Sequence, residues 1–219
     1  MQQLPYDVFN EITAGDVFVK AWKIMKEHFV DVLLLVFIYF IVQLPLDSFD
    51  EEYFHSPALG TVYFLLFYVP VQFGVAYAFL QIVRGHKFRL AMILSVFQRN
   101  YLNIILAAIL CYLIIGIGLL LLFIPGIIFA VRLAFVPYLT TERNIDAVSA
   151  IKTSWAMTRN HAWTIFFMGL LCIPVLIGGI LLLGVGIVVS IMWISVAFAL
   201  VYHQVSQKQN PSGTSIMQE

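Results

Sequence analysis

The chain has 219 residues, of which 62% are hydrophobic and only 11% are charged. Soluble domains are close to half apolar and a quarter charged, so a soluble fold of this length is excluded and lipid must solvate most of the chain. The formal net charge is zero, which argues against nucleic acid as a partner, because proteins that bind nucleic acid carry a basic surface.

Six apolar segments are suited to cross a membrane, since a helix needs about 20 mostly apolar residues to span the hydrocarbon core. They are residues 30–46, 59–83, 102–124, 126–140, 162–183 and 185–205. The stretch from 102 to 140 is too long for one helix, and we expect Pro125 and Gly126 to break it into a tight hairpin. The sequence therefore predicts an all-α fold: one polytopic membrane domain over residues 1–205, with about six transmembrane helices.

The basic residues predict the orientation of these spans. Apart from Arg132, all lysines and arginines fall on one side of the membrane in a six-span topology. The loop after the first span, "LDSFDEEYFHSP", is acidic instead. Because positively charged loops are retained in the cytoplasm, we expect both termini to be cytoplasmic. The polar residues 206–219 predict a disordered cytoplasmic tail.

Amphipathic segments with helical spacing precede three of the spans, at about residues 14–29, 88–101 and 145–160. We expect them to lie as helices at the cytoplasmic interface. The phrases "AWKIMKEHFVDVLL" and "SWAMTRNHAWTIFF" place tryptophan, a basic residue and histidine at matching positions. This similarity predicts an internal repeat of an amphipathic helix plus a transmembrane hairpin, although independent convergence of interfacial helices on such residues would look the same. The expected headgroup contacts are Trp22, Lys26, His28, Arg99, Trp155, Arg159 and His161.

A few polar residues fall within or beside the predicted spans. Arg132 is the one charge well inside a span, and such a residue is a candidate for function, because burying a charge in the membrane is costly. It either contacts a substrate or lipid headgroup, or supports packing and snorkels to the interface. Asp31 is a candidate counter-ion, and Gln72 and Asn103 complete the candidate intramembrane polar site.

Catalytic and metal-binding signatures are absent from the sequence. It contains no HExxH, GxSxG, Walker or CxxC motif, so we expect no enzyme activity, no metal site and no cofactor.

The region 115–170 resembles a broad group of bacterial multi-pass membrane proteins. The similar features are Ile124-Pro125-Gly126, Arg132, Pro137 and a helix with the pattern Ala-Ile…Ser-Trp…Thr-Arg (residues 150–159). The group includes the family of the membrane domain of glycerophosphoryl diester phosphodiesterases and families of unknown function. The resemblance implies a protein of the bacterial cytoplasmic (inner) membrane. It does not imply phosphodiesterase activity, which in those members belongs to a separate soluble domain.

Two functions are compatible with these features. The first is a non-enzymatic accessory, lipid-interacting or assembly factor, whose partners are membrane lipids and either a second copy of itself or another membrane protein. The alternative is a small transporter or channel with a site near Arg132, because repeated hairpins, proline-interrupted spans and an intramembrane arginine recur in transporters.

Overall fold

The computed structural model describes residues 13–48, 57–98, 100–181 and 185–209. These residues form helices and short connections, without any β-strand among them. In chain order the helices are α1 (Ala14–Glu27), α2 (Phe29–Ser48), α3 (Pro57–Tyr63), α4 (Val69–Val83), α5 (Leu90–Gln98), α6 (Tyr101–Leu121), α7 (Phe123–Leu133), α8 (Val136–Glu142), α9 (Ala147–Thr158), α10 (Ala162–Leu181) and α11 (Val185–Gln209).

Five segments of the described chain are long and apolar enough to cross a membrane: Gly60–Val83, Tyr101–Leu121, Phe123–Glu142, Ala162–Leu181 and Gly186–Lys208. A sixth span is present if α1 and Phe29–Leu44 of α2, which meet at 97°, are counted as one bent segment. The chain is therefore a multi-pass membrane protein, and the prediction of an all-α bundle with about six spans is confirmed.

The helices form three consecutive units with the same order of elements. Each unit begins with a short helix (α1, α5 or α9) and continues with a long first span (α2, α6 or α10). It returns with a second span, which is α3–α4 joined by the π-helical turn Phe64–Tyr68, then α7–α8, and finally α11. The short helices lie within the three predicted ranges 14–29, 88–101 and 145–160. Helices α5 and α9 connect one unit to the next, and α1 precedes α2 at the same end of the bundle. This end also carries Arg84, Arg143 and Lys208 and is called the basic end below.

The three units pack in a cyclic order. Each short helix lies on the second span of the preceding unit: α5 on α4, α9 on α7 and α8, and α1 on α11. The first spans follow the same rule, since α6 contacts α4, α10 contacts α7, and α2 contacts α11. This arrangement supports an internal repeat with three copies, including the middle unit whose sequence similarity is faint.

The second spans form the centre of the bundle, because α4 packs against both α8 and α11. The first spans lie outside them. Half of the apolar window of α11 is buried inside the protein, whereas only 17% of the window of α10 is buried. The exposed apolar faces of the first spans are therefore left to lipid or to another protein.

The hairpin between α6 and α7 is present, but Leu122 makes the break and not Pro125 and Gly126 as expected. Leu122 has extended backbone with φ −162° and ψ 141°. Pro125 lies in the first turn of α7, where a missing N–H is tolerated because that group has no partner within the helix. Gly126 permits close packing: a Cβ on Gly118 would lie 3.0 Å from the Cα of Gly126.

Helix α11 continues to Gln209, so it enters the region 206–219 that was expected to be disordered. Arg143 Nη2 donates a hydrogen bond to Ser206 Oγ at 3.1 Å. Within α11, Gln207 Nε2 and His203 Nε2 are 3.2 Å apart. The bond from Arg143 holds the last turns of α11 against the end of α8, and residues 210–219 lie outside the described residues.

Candidate functional site

The break between α7 and α8 is filled by a side chain from α9. Ser154 Oγ donates a hydrogen bond to the carbonyl oxygen of Arg132 at 2.7 Å and accepts one from the backbone N–H of Phe135 at 3.3 Å. Thr158 Oγ1 approaches the same carbonyl at 3.4 Å. Ser154 thus replaces hydrogen bonds that the helix lacks where it bends. Arg132 therefore lies beside α9, in the last turn of α7 and ten residues before the end of the span Phe123–Glu142.

The guanidinium of Arg132 is held by an aromatic ring. Its Cζ lies 5.5 Å from the centroid of the Trp155 ring, a cation–π distance, and Trp155 also packs against Phe129 with centroids 5.9 Å apart. Arg132 Nη1 is buried and has no hydrogen-bond partner. Among the described residues the guanidinium forms no ion pair, which leaves its positive charge without a counter-ion.

Arg132 stands at one end of a groove of about 470 Å³ between α7 and α10. The groove extends along α7 from Phe123 to Arg132, about 14 Å at the rise of an α-helix. Apart from the arginine its walls are apolar. The lining residues are Phe123, Ile124, Ile127, Ile128, Val131, Arg132, Ala162, Trp163 and Phe166.

His161 lies next to this groove, in the connection between α9 and α10. Its Nδ1 is buried and has no hydrogen-bond partner. Burial lowers the pKa of His161 below its ordinary value, and the nearby charge of Lys208 lowers this pKa further. The imidazole is therefore neutral at pH 7, which does not favour an ionic contact with a headgroup phosphate.

The other residues of the predicted intramembrane site do not join Arg132. Asp31 Oδ2 lies 3.9 Å from His28 Nδ1 and forms no ion pair with the arginine. Asn103 donates a hydrogen bond to the side chain of Asn100, and Gln72 lines a separate cavity described below. Only Arg132 lies at the groove, and the other three candidates lie in three separate places.

The residues predicted to contact headgroups lie mostly on the outer faces of α1 and α9. Lys26 and Arg159 are exposed. Trp22 is 37% exposed and Trp155 is 40% exposed. Trp22 packs against Trp193 of α11 with ring centroids 4.9 Å apart, whereas Arg99 lies outside the described residues.

A polar network at the basic end was not anticipated from the sequence. Arg84, which follows α4, forms an ion pair with Glu142 of α8. Glu142 also accepts a hydrogen bond from the hydroxyl of Tyr202 on α11. Arg84 Nε donates a hydrogen bond to Nδ1 of His203 at 3.4 Å. The network therefore joins the second spans of all three units.

The repeat is the signal that would have located this network. Within each unit one residue of the second span faces a short helix: Gly74 faces Ile93, Arg132 faces Trp155, and Trp193 faces Trp22. Ten residues after each of them the chain reaches the corresponding member of the network: Arg84, Glu142 and His203. Equivalent positions of three units thus meet at the centre of the basic end.

A smaller cavity of about 260 Å³ lies among α2, α4, α8 and α11. Its polar lining consists of Tyr39, Gln72, Tyr138 and Ser195, and its other walls are apolar. The ring of Tyr138 stacks on that of Tyr202 with centroids 4.8 Å apart, so this stack separates the cavity from the Glu142 network. No charged residue is among the described residues that line the cavity.

Within the described part of the chain, no three histidine, cysteine, aspartate or glutamate residues come together as metal ligands. No protein-family model, curated protein or solved structure matches the chain. The resemblance of residues 115–170 to bacterial membrane proteins therefore stays a prediction.

Proposed function

We propose that the protein is a non-enzymatic accessory or assembly factor of the bacterial cytoplasmic membrane that binds lipid headgroups at its basic end. The basic end faces the cytoplasm in this proposal, because positively charged connections are retained there. The resemblance of residues 115–170 supports the bacterial location. The apolar faces of the first spans suit membrane lipids, a second copy of the chain or another membrane protein.

The observation that carries this proposal is the 97° angle between α1 and α2. Because α2 runs along the bundle, α1 runs across it, parallel to a membrane surface. Its inner face is buried, with Phe18 and Met25 at its centre, and its outer face exposes Lys23 and Lys26. Because the apolar face of α1 packs against the protein, its exposed lysines attract anionic headgroups by charge.

The test is a measurement of lipid selectivity at the protein surface. The tryptophan fluorescence of the full chain is measured in bilayers of brominated phosphatidylglycerol or brominated phosphatidylcholine, from which relative binding constants follow. We expect a preference for phosphatidylglycerol that falls as ionic strength rises, because surface charges are screened by salt. The combined substitution Lys23→Gln, Lys26→Gln, Lys152→Gln and Arg159→Gln should weaken the preference. Equal binding of the two lipids at low salt would contradict the proposal.

A second candidate is a small transporter or channel, which the cavity lined by Tyr39, Gln72, Tyr138 and Ser195 favours. Arg132, the site first expected for such a function, does not line this cavity. The test is a Ser195→Cys variant in a background without Cys111 and Cys172, treated with a membrane-impermeant thiol reagent. Modification of position 195 supports a water-filled path, and its absence, with normal modification of a cysteine at the exposed Lys87, counts against one.

A further inference from the structure

We propose that the groove between α7 and α10 is a stoichiometric binding site for one anionic phospholipid, whose phosphate contacts Arg132 and whose acyl chain lies along α7. This proposal rests on the proposed lipid-binding function, and names a single site with a defined ligand class. It differs from the diffuse headgroup contacts of the short helices, because it predicts one retained lipid molecule.

The positive charge of Arg132 has no counter-ion among the described residues. A guanidinium in the membrane needs acceptors for its N–H groups, and an unsatisfied buried donor is costly. Trp155 stabilises the cation through its ring face at 5.5 Å. The buried Nη1 lies out of reach of a ligand, so an anion would contact the other N–H groups of the guanidinium, which lines the groove. Most of the described carboxylates are engaged elsewhere: Glu142 with Arg84, Asp31 with His28, Asp16 with Thr13, and Asp146 with the N-terminus of α9. Glu27 is exposed on α1. The described residues therefore supply no counter-ion, which leaves the guanidinium open to an anionic ligand.

The groove is amphiphilic. Arg132 lies at its α8 end, in the last turn of α7, and apolar side chains continue from it along α7 as far as Phe123. A free phosphate ion would satisfy Arg132 and leave this apolar surface uncovered. A phospholipid satisfies both, because its phosphate meets the guanidinium while its acyl chain covers the apolar walls.

A larger groove of about 580 Å³ lies between α10 and α11. It is lined by Trp22, Trp193 and the glycines Gly178, Gly179 and Gly186, and no charged side chain is among its described lining residues. An acyl chain fits both grooves, and the phosphate of any phospholipid can meet Arg132. An anionic lipid is preferred there because the choline ammonium of a zwitterionic lipid would place a second positive charge beside the guanidinium. The two grooves thus provide an internal comparison.

The test counts the lipids that stay bound to the intact protein. The full chain is placed in nanodiscs of equal phosphatidylglycerol and phosphatidylcholine, released in the mass spectrometer, and the retained lipids are identified. We expect one phosphatidylglycerol per protein, with occupancy reduced about tenfold in Arg132→Gln because a charge-assisted contact is lost. Arg132→Lys should keep part of the occupancy, since lysine retains the charge without the planar fork. Lys87→Gln, which removes an exposed charge elsewhere, should leave it unchanged.

A second pair of variants tests the groove while keeping the arginine. Ala162→Phe fills the groove beside Arg132 and should expel the lipid, whereas Gly178→Phe fills the larger groove and should not. This pair also covers the case in which Arg132→Gln does not fold. Equal retention of phosphatidylcholine, or undiminished phosphatidylglycerol in both Arg132→Gln and Ala162→Phe, would overturn the site.

Failure of the site and failure of the proposed function have different signatures. If the salt-sensitive preference for phosphatidylglycerol persists while no lipid depends on Arg132, the site is wrong and surface binding stands. If one phosphatidylglycerol is retained through Arg132 while the surface preference is absent, the site is right and the surface proposal is wrong.

Discussion

Arg84 and Glu142, 58 residues apart in sequence, form an ion pair that fastens α4 to α8 at the basic end. The same carboxylate accepts a hydrogen bond from Tyr202 of α11. Only 24% and 20% of the two charged side chains are exposed. A single acidic residue therefore connects the second spans of all three units.

We expect Arg84→Met or Glu142→Gln to destabilise the bundle by about 2 kcal/mol. Breaking a fully buried pair costs about 3–5 kcal/mol because one charge is left without a partner, and partial exposure reduces this cost. Unfolding in SDS, followed by circular dichroism, measures it. The double variant should lose less than the sum of the single variants. Additive losses would mean that the two charges do not stabilise each other, and Lys87→Gln is the control for charge removal.

The bend between α7 and α8 depends on Ser154. Ser154→Ala removes a donor to Arg132 and an acceptor for the buried backbone of Phe135, so we expect a loss of about 1–3 kcal/mol. The same unfolding experiment measures it. The matched control is Thr153→Ala, at the position that precedes Ser154 on α9. A loss no larger than that of the control would show that the bend does not need the hydroxyl.

The α6–α7 hairpin should not tolerate a side chain at its closest approach. A Cβ on Gly118 would lie 2.6 Å from Cδ2 of Phe129 and 3.0 Å from Cα of Gly126. Gly118→Ala should therefore destabilise the protein by about 1–3 kcal/mol. Gly116, one half-turn away on α6, has nothing within 4 Å of the corresponding position, and Gly116→Ala should be neutral or stabilising. The comparison of the two melting temperatures tests this contact, and equal values would refute it.

The stability of the protein should decrease as the pH is lowered, because of His161. Burial and Lys208 lower the pKa of this histidine in the folded protein, whereas the unfolded chain binds the proton near pH 6.5. Stability from the neutral imidazole is thus present above about pH 6.5 and is lost as pH falls through the lowered folded pKa. Melting temperatures between pH 7.5 and pH 5.5 should fall less for His161→Gln than for the wild type. Parallel curves would contradict this assignment, and Lys208→Gln should reduce the fall.

The architecture was predictable from the sequence because membrane spans need only sufficient length and apolar composition. The short helices were predictable because their apolar residues recur at helical spacing. The break of the hairpin was assigned to Pro125 because proline interrupts helix interiors. In the structure Pro125 falls in a first turn, where it is tolerated, and that depends on where the helix begins. The extended backbone of Leu122 has no signature in an apolar run.

The site was predictable only in part. Arg132 was found because a charge in an apolar segment is conspicuous, but its contact with Trp155 was not predicted, since the position of α9 against the bend is a tertiary contact. Arg84 and Glu142 flank turns and look like ordinary solvated charges in the sequence. Their pairing follows from the convergence of three second spans. The contact between His28 and Asp31 is different: it joins neighbouring turns of one helix region, and the spacing of three residues is enough to expect it.

The cyclic order of the units has a consequence for biosynthesis. Among the described helices, α1 leaves the ribosome first, yet its partner α11 is made after all the others. Until then the carbonyl of Phe18 lacks the indole of Trp193, which donates to it at 2.7 Å in the finished protein. Until α11 is made, the apolar face of α1 therefore lies against lipid at the membrane surface. The cyclic packing of the three units is complete only when α11 has been synthesised.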